Sequence, residues 1–125
     1  MTTDGGSAVE RYLAALARQD WATLATCLTD DVERTGPYND VYHGRDAYVS
    51  FLAATMRTLA GYELHVSRLI SGDGVVVAEL SETVDMPEGR RRTDEAVVFD
   101  LAVDGRIRRV GVFLRRQAAP ARQNP

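Results

Sequence analysis

Lysine is missing altogether, and all 15 basic residues of the 125-residue chain are arginine. The bias reads as the codon usage of a GC-rich genome, and it excludes Schiff-base chemistry, which needs a lysine amine. Cysteine is nearly absent: Cys27 alone cannot form an internal disulfide or a cysteine-based metal cluster, which fits a reducing compartment. It sits in a helical pattern beside Leu24 and Leu28 and reads as a packing residue rather than a nucleophile. The two histidines, His43 and His65, lie far apart with no ligand cluster around them, so no metal is expected. No stretch approaches the roughly 18 apolar residues of a membrane helix, and Met1 to Gly6 shows no basic region leading into an apolar run. A cytoplasmic location, with no membrane partner, is therefore expected. The net charge of -3 comes without a long basic face, which argues against nucleic acid as a partner. There is no internal repeat, and no glycine-rich loop leads to a lysine for phosphate binding.

What is present suits one core, since 45% of the residues are hydrophobic and the length leaves little room for a second domain. A folded domain over residues 7–116 is expected between two disordered tails, 1–6 and 117–125. Ser7 and Glu10 form a capping box ahead of Val9, Tyr12, Leu13 and Leu16 at helical spacing. Asp20 caps a shorter helix whose apolar positions are Trp21, Leu24, Ala25 and Leu28. A brief strand over Val32–Thr35 precedes Gly36 and Pro37, residues 37–44 read as a loop, and a third helix over Arg45–Leu59 carries Tyr48, Phe51, Leu52, Thr55, Met56 and Leu59 on one stripe, closed by Gly61.

From Tyr62 the period changes to two, in runs separated by Gly72-Asp-Gly74, Pro87-Glu-Gly89 and Asp104-Gly105. Four antiparallel strands in a meander follow. Asp104-Gly105 signals a two-residue hairpin that pairs Val103 with Arg106, Leu101 with Arg108, Phe99 with Val110, Val97 with Val112 and Glu95 with Leu114. The opposite face pairs Asp100 with Arg109, Val98 with Gly111 and Ala96 with Phe113. With Ile107 that face forms an apolar outer surface, from which a homodimer is expected.

This order of elements resembles the nuclear transport factor 2-like cone, and the chain is similar to SnoaL-like polyketide cyclases and ketosteroid isomerases across its folded length. The likeness rests on Val9-Glu-Arg-Tyr-Leu-Ala-Ala-Leu16, Asp20-Trp21, Leu28-Thr-Asp-Asp-Val32, His43-Gly-Arg-Asp-Ala47 and Val98-Phe-Asp-Leu-Ala-Val-Asp-Gly-Arg-Ile107. It implies an α+β fold in which a curved antiparallel sheet wraps around three N-terminal helices and encloses a small-molecule pocket. The superfamily hosts isomerases, hydrolases, cyclases and binding proteins on one scaffold. Carried over from ketosteroid isomerase, the helix-one phenol falls at Tyr12, the base at Gly36 and the oxyanion carboxyl at Phe99, so two of three roles are unfilled. Carried over from limonene epoxide hydrolase, Asp85 keeps the first aspartate, while Thr83 replaces the arginine and Val112 the second aspartate.

The polar residues left near the implied pocket are Tyr12, Tyr38, Asp40, His65 and Asp85, with Glu79 and Glu95 depending on strand register. Tyr12, Asp40, Asp85 and His65 are the catalytic candidates. Leu16, Tyr38, Phe51, Met56, Val97, Phe99, Val110, Val112 and Leu114 are the expected pocket wall. A carboxylate enclosed by such a wall has its charged form destabilised, raising its pKa toward neutrality, where it can exchange protons. Each candidate has a plainer reading: Asp40 as a solvated turn residue, Asp85 as a strand end outside the sheet, His65 as a solvent-facing strand residue, Tyr12 as a packed ring. The Arg90-Arg-Arg92 run reads as a solvated hairpin tip.

The resulting expectation is a cofactor-free isomerase, cyclase or hydrolase for an apolar oxygenated compound such as a polyketide, terpenoid or steroid-like molecule. The alternative is a non-catalytic protein that binds a hydrophobic ligand or serves as a dimeric accessory subunit.

Overall fold

A computed structural model describes residues 5–115. Helices α1 (Gly5–Arg18) and α2 (Trp21–Thr26) are followed by strands β1 (Leu28–Thr35) and β2 (Val41–His43) and then by helix α3 (Arg45–Met56). The remaining strands are β3 (Glu63–Gly72), β4 (Val75–Met86), β5 (Gly89–Leu101) and β6 (Ile107–Leu114). All six join one curved, unclosed sheet in the order β2-β1-β6-β5-β4-β3. The expected antiparallel meander is β3 to β6, and the sheet is mixed because β1 runs parallel to β6.

The helical stripe of α1 is buried as its spacing requires, with Val9, Tyr12, Leu13 and Leu16 all in the core. The helix starts earlier than expected, so Gly5 and Gly6 are helical and Ser7 lies inside the first turn rather than capping it. The side chains of residues 5–7 lie outside the described residues, as do segments 1–4 and 116–125 and the tails expected there. Asp20 does cap α2, its carboxylate accepting from the Thr23 backbone N–H at 3.2 Å. α2 ends at Thr26, and Leu28 opens β1 instead of closing the helix, because it pairs across the parallel step with Ile107. Cys27 is fully buried between the two elements. The loop expected over residues 37–44 contains β2, whose residues pair with Glu33, Arg34 and Thr35.

The β5–β6 register is as expected from Glu95–Leu114 through Asp100–Arg109, although its turn is not a two-residue one. Ala102 N–H bonds the Arg106 carbonyl at 2.7 Å, leaving a three-residue loop with Gly105 at φ 92, the left-handed geometry of a hairpin ending in a bulge. Leu101 therefore pairs with Ile107 rather than Arg108, and Val103 stands exposed at the tip. A register shift between Asp100 and Leu101 restores the expected pairing beyond it. The same shift turns Ile107 from the outer face into the core, where none of its surface is exposed. The expected outer apolar surface thus loses Ile107 and keeps Ala96, Val98 and Phe113.

Inward positions alternate along each strand. Val76, Ala78, Leu80 and Glu82 follow one another on β4, Glu95, Val97 and Phe99 on β5, and Val110, Val112 and Leu114 on β6; Val32 and Arg34 do the same on β1. Val76, Phe99, Ile107 and Leu28 pack solidly at one end of the cone. The charged residues fall toward the other end. Ile107→Ala is expected to cost about 2–5 kcal/mol in urea unfolding, the range for a truncated core isoleucine; a cost below about 0.5 kcal/mol would return Ile107 to the surface.

Candidate functional site

Between the inner face of the sheet and helices α1 and α3 lies a cavity of about 200 Å³. Its apolar wall includes Leu16, Phe51, Met56, Val97, Phe99, Val110, Val112 and Leu114, so the structure brings together every expected wall residue except Tyr38. Tyr38 is 81% exposed on the loop after β1, where Asn39 at φ 65 turns the chain outward. It borders a wider surface groove of about 550 Å³ lined by residues 35–39 and 111–115. That groove gathers no group of interacting acids and bases, so the smaller cavity is the candidate site.

Six polar side chains line that cavity: Tyr12, Arg34, Tyr48, Thr55, Glu82 and Glu95. Tyr12 and Tyr48 meet hydroxyl to hydroxyl, from α1 and α3. Burial raises the pKa of both phenols, that of Tyr12 well above its usual value and that of Tyr48 up to about 12, so both stay protonated near neutrality. One hydroxyl donates to the other, which leaves the acceptor's own proton available to a ligand. The Tyr12 ring also packs edge-on against Phe99, 5.4 Å between centroids.

Glu82 and Glu95 sit on adjacent strands, two residues out of direct register, because Glu95 pairs with Leu80 and Glu82 with Thr93. Diagonal neighbours on one face are within reach of each other when their side chains are long. Burial is the main reason that the Glu95 carboxyl is pushed up to about 9, and its hydrogen bond to Glu82 and the Glu82 charge add to the effect. Raised that far, the Glu95 carboxyl keeps its proton near neutrality. The Tyr62 hydroxyl donates to Glu82 Oε2 at 2.5 Å, and its own ionisation is suppressed by burial and by that carboxylate. Arg34 opposes the rise at Glu95 without reversing it. Its guanidinium lies 4.8 Å from the Phe51 ring centroid and 5.9 Å from that of Tyr48.

Three of the four catalytic candidates lie elsewhere. Asp40 is behind Arg34 rather than on the cavity wall, with Oδ2 3.4 Å from Arg34 Nη1. Asp85 is at the far end of β4, bound to Arg90 at 2.5 Å and carrying a side chain 54% exposed. Arg90 also reaches the Gly61 carbonyl and Glu63, so the first residue of the run Arg90-Arg-Arg92, expected at a solvated hairpin tip, fastens a strand end instead. His65 is exposed because its neighbours Leu64 and Val66 turn inward toward α1. Glu79 is on the outer face, paired with Arg68 at 2.8 Å. Tyr12 is on the wall, and Glu95 is there because the register puts it in line with Val97 and Phe99. Arg34, Tyr48 and Glu82 were not among the candidates. The signal for Arg34 and Glu82 was position: each continues the inward alternation of its strand, after Val32 and Leu80 respectively. Among the described residues no cluster of His, Cys, Asp and Glu fits a metal ion.

The raised carboxyl has a stability consequence. Glu95 holds its proton in the folded state up to about 9 but loses it at about 4.5 when unfolded, so its contribution is intact below the lower value and is lost as pH rises through the higher one. Urea unfolding of wild type and Glu95→Gln is expected to shift in the variant's favour between those limits, by less than about 1.4 kcal/mol per pH unit, the limit for one proton. A pH-independent difference would mean that Glu95 titrates alike in both states.

The described residues include no helix long and apolar enough to cross a membrane. A search of curated proteins found no match. Among solved structures, an LEH-like epoxide hydrolase of M. tuberculosis is similar at 24% identity and a TM-score of 0.78, with 91% of this chain and 84% of that one covered. A Catenulispora acidiphila protein with a ketosteroid isomerase-like fold, solved with trimethylamine, matches at 13% identity and 0.76, covering 85% and 83%. TerC, co-crystallised with polyporic acid, matches at 19% identity and 0.79, covering 90% and 92%. These likenesses establish the nuclear transport factor 2-like fold. The model of the SnoaL-like domain matches residues 9–110, most of the described chain, and the protein belongs to that family.

Proposed function

We propose that the cavity is a cofactor-independent acid-base site for a compact, mostly apolar, oxygenated molecule, working by proton transfer at carbon, by cyclisation or by addition of water. The observation that carries this reading is the Glu82–Glu95 pair inside an apolar wall, where burial and the neighbouring Glu82 push the Glu95 carboxyl up to about 9. A carboxylic acid and a carboxylate side by side supply a donor and an acceptor at the same pH. Glu82 takes a proton from the ligand, and Glu95 returns one. Arg34 and the hydroxyl left over in the Tyr12–Tyr48 pair stabilise negative charge developing on a ligand oxygen. The volume of about 200 Å³ is below the roughly 300–1,000 Å³ of sites for drug-sized molecules, which supports a ligand of one or two rings over an extended polycyclic one. An epoxide hydrolase and a protein crystallised with polyporic acid on the same fold are in keeping with oxygenated ligands.

The second reading is a non-catalytic binder of a hydrophobic ligand. It is favoured by the incomplete reference sets, since Gly36, Phe99, Thr83 and Val112 bring no acid, base or cation to their positions. We also propose a cytoplasmic homodimer through the outer face of the sheet, where Phe113 is 61% exposed beside Ala96 and Val98. Light scattering should then find a dimer that Phe113→Asp dissociates, and a stable wild-type monomer would dismiss it.

Deuterium exchange at the α-carbon of 2-tetralone in D2O, followed by NMR, tests the catalytic reading with a probe of suitable size. Wild type is expected to accelerate it, and Glu82→Gln or Glu95→Gln to reduce the acceleration by about 10²–10⁴-fold. Binding without exchange of this ketone, and without turnover of a matched epoxide, would favour the binder.

A further inference from the structure

Arg34 and the two glutamates line one cavity, yet no ion pair joins them among the described residues. Opposite charges in an apolar enclosure attract strongly. The guanidinium is instead engaged on its other side by Asp40, while Phe51 and Tyr48 supply ring faces. This arrangement depends on Gly36. A Cβ there would stand 2.5 Å from Asp40 Oδ1 and 2.8 Å from Arg34 Nη1, so the two groups meet only over a residue without a side chain. The intervening loop closes on itself through Gly36 N–H to the Asp40 carbonyl at 2.8 Å and Asn39 N–H to the Gly36 carbonyl at 3.0 Å. Asp40 Oδ1 is buried with no hydrogen-bond partner, a cost that packing alone does not explain.

We propose that Asp40 is a positioning residue that keeps the Arg34 guanidinium apart from Glu82 and Glu95, so that cation and carboxyl pair face a ligand between them rather than each other. The role of the separation rests on the cavity being a ligand site; the separation itself is measurable without a ligand. The titratable groups facing Glu95 are Glu82 from β4 and Arg34 from β1, with the phenols of Tyr12 on α1, Tyr48 on α3 and Tyr62 just ahead of β3. Arg34 is the cation in this set, so moving it alters the Glu95 titration.

The test is carboxyl NMR of the full chain carrying ¹³C-labelled glutamate. In Asp40→Asn the released guanidinium should move onto the carboxyl pair and lower the Glu95 midpoint by about one pH unit or more. Gly36→Ala should act in the same direction by prising Arg34 from Asp40, and it carries the test if Asp40→Asn does not fold. In an Arg34→Met background, Asp40→Asn should leave the midpoint where it was, because the cation that transmits the effect is gone. An unchanged midpoint in the single variants, or an equal shift without Arg34, would overturn the proposal. A shift as expected in a protein that neither binds nor turns over any probe would sink the functional reading while leaving Asp40 its role.

Discussion

Two acids placed on the inward face of neighbouring strands impose the constraint around which the candidate site is built. Glu82 and Glu95 occupy positions that elsewhere on β4 and β5 hold Leu80, Val97 and Phe99. Water does not solvate them freely there, and ionising both would set two negative charges against each other in an apolar enclosure. The surroundings answer that cost in separate ways. Tyr62 donates to Glu82, a proton stays on Glu95, and Arg34 supplies a counter-charge from across the cavity without closing on the pair.

The fold explains why these groups share one space. The cone is packed solidly where Val76, Phe99, Ile107 and Leu28 converge, so inward side chains further along β4, β5 and β6 meet an opening instead of a partner. Helices α1 and α3 roof that opening and contribute the Tyr12–Tyr48 contact. A buried phenol needs a partner for its hydroxyl, and each of these two serves the other. The same sheet curvature leaves Asp85 and Arg90 beyond the cavity, where they bind the segment that leads from α3 into β3.

Much of this was legible in the chain. Helical stripes and alternating strands disclosed helices followed by an antiparallel meander, the family resemblance implied the cone, and the hairpin signal located the inward series Glu95, Val97 and Phe99. The strand residues of the wall, Val97, Phe99, Val110, Val112 and Leu114, followed from that series, since alternation decides which side chains look inward. The register survived an error in the turn because the extra loop residue is offset by a bulge, and only Leu101, Val103, Arg106, Ile107 and Arg108 were misassigned. The polar site was less legible. Arg34 and Glu82 carry full charges on strands that also present Glu33, Thr83 and Asp85, so charge suggests solvent where alternation indicates the interior. Asp40 resembled a base because it sits on a loop near the mouth; its actual neighbour, Arg34, is six residues earlier and meets it only because Gly36 lacks a side chain. His65 and Asp85 depended on parity and on the last residues of a strand, where a one-residue difference reverses the face.

The account stands or falls on the ionisation of one side chain. A ¹³C titration of the Glu95 carboxyl in the wild-type protein should give a midpoint near 9. A midpoint near 4.5, the ordinary value for glutamate, would mean a solvated acid and no proton held in the cavity at neutrality.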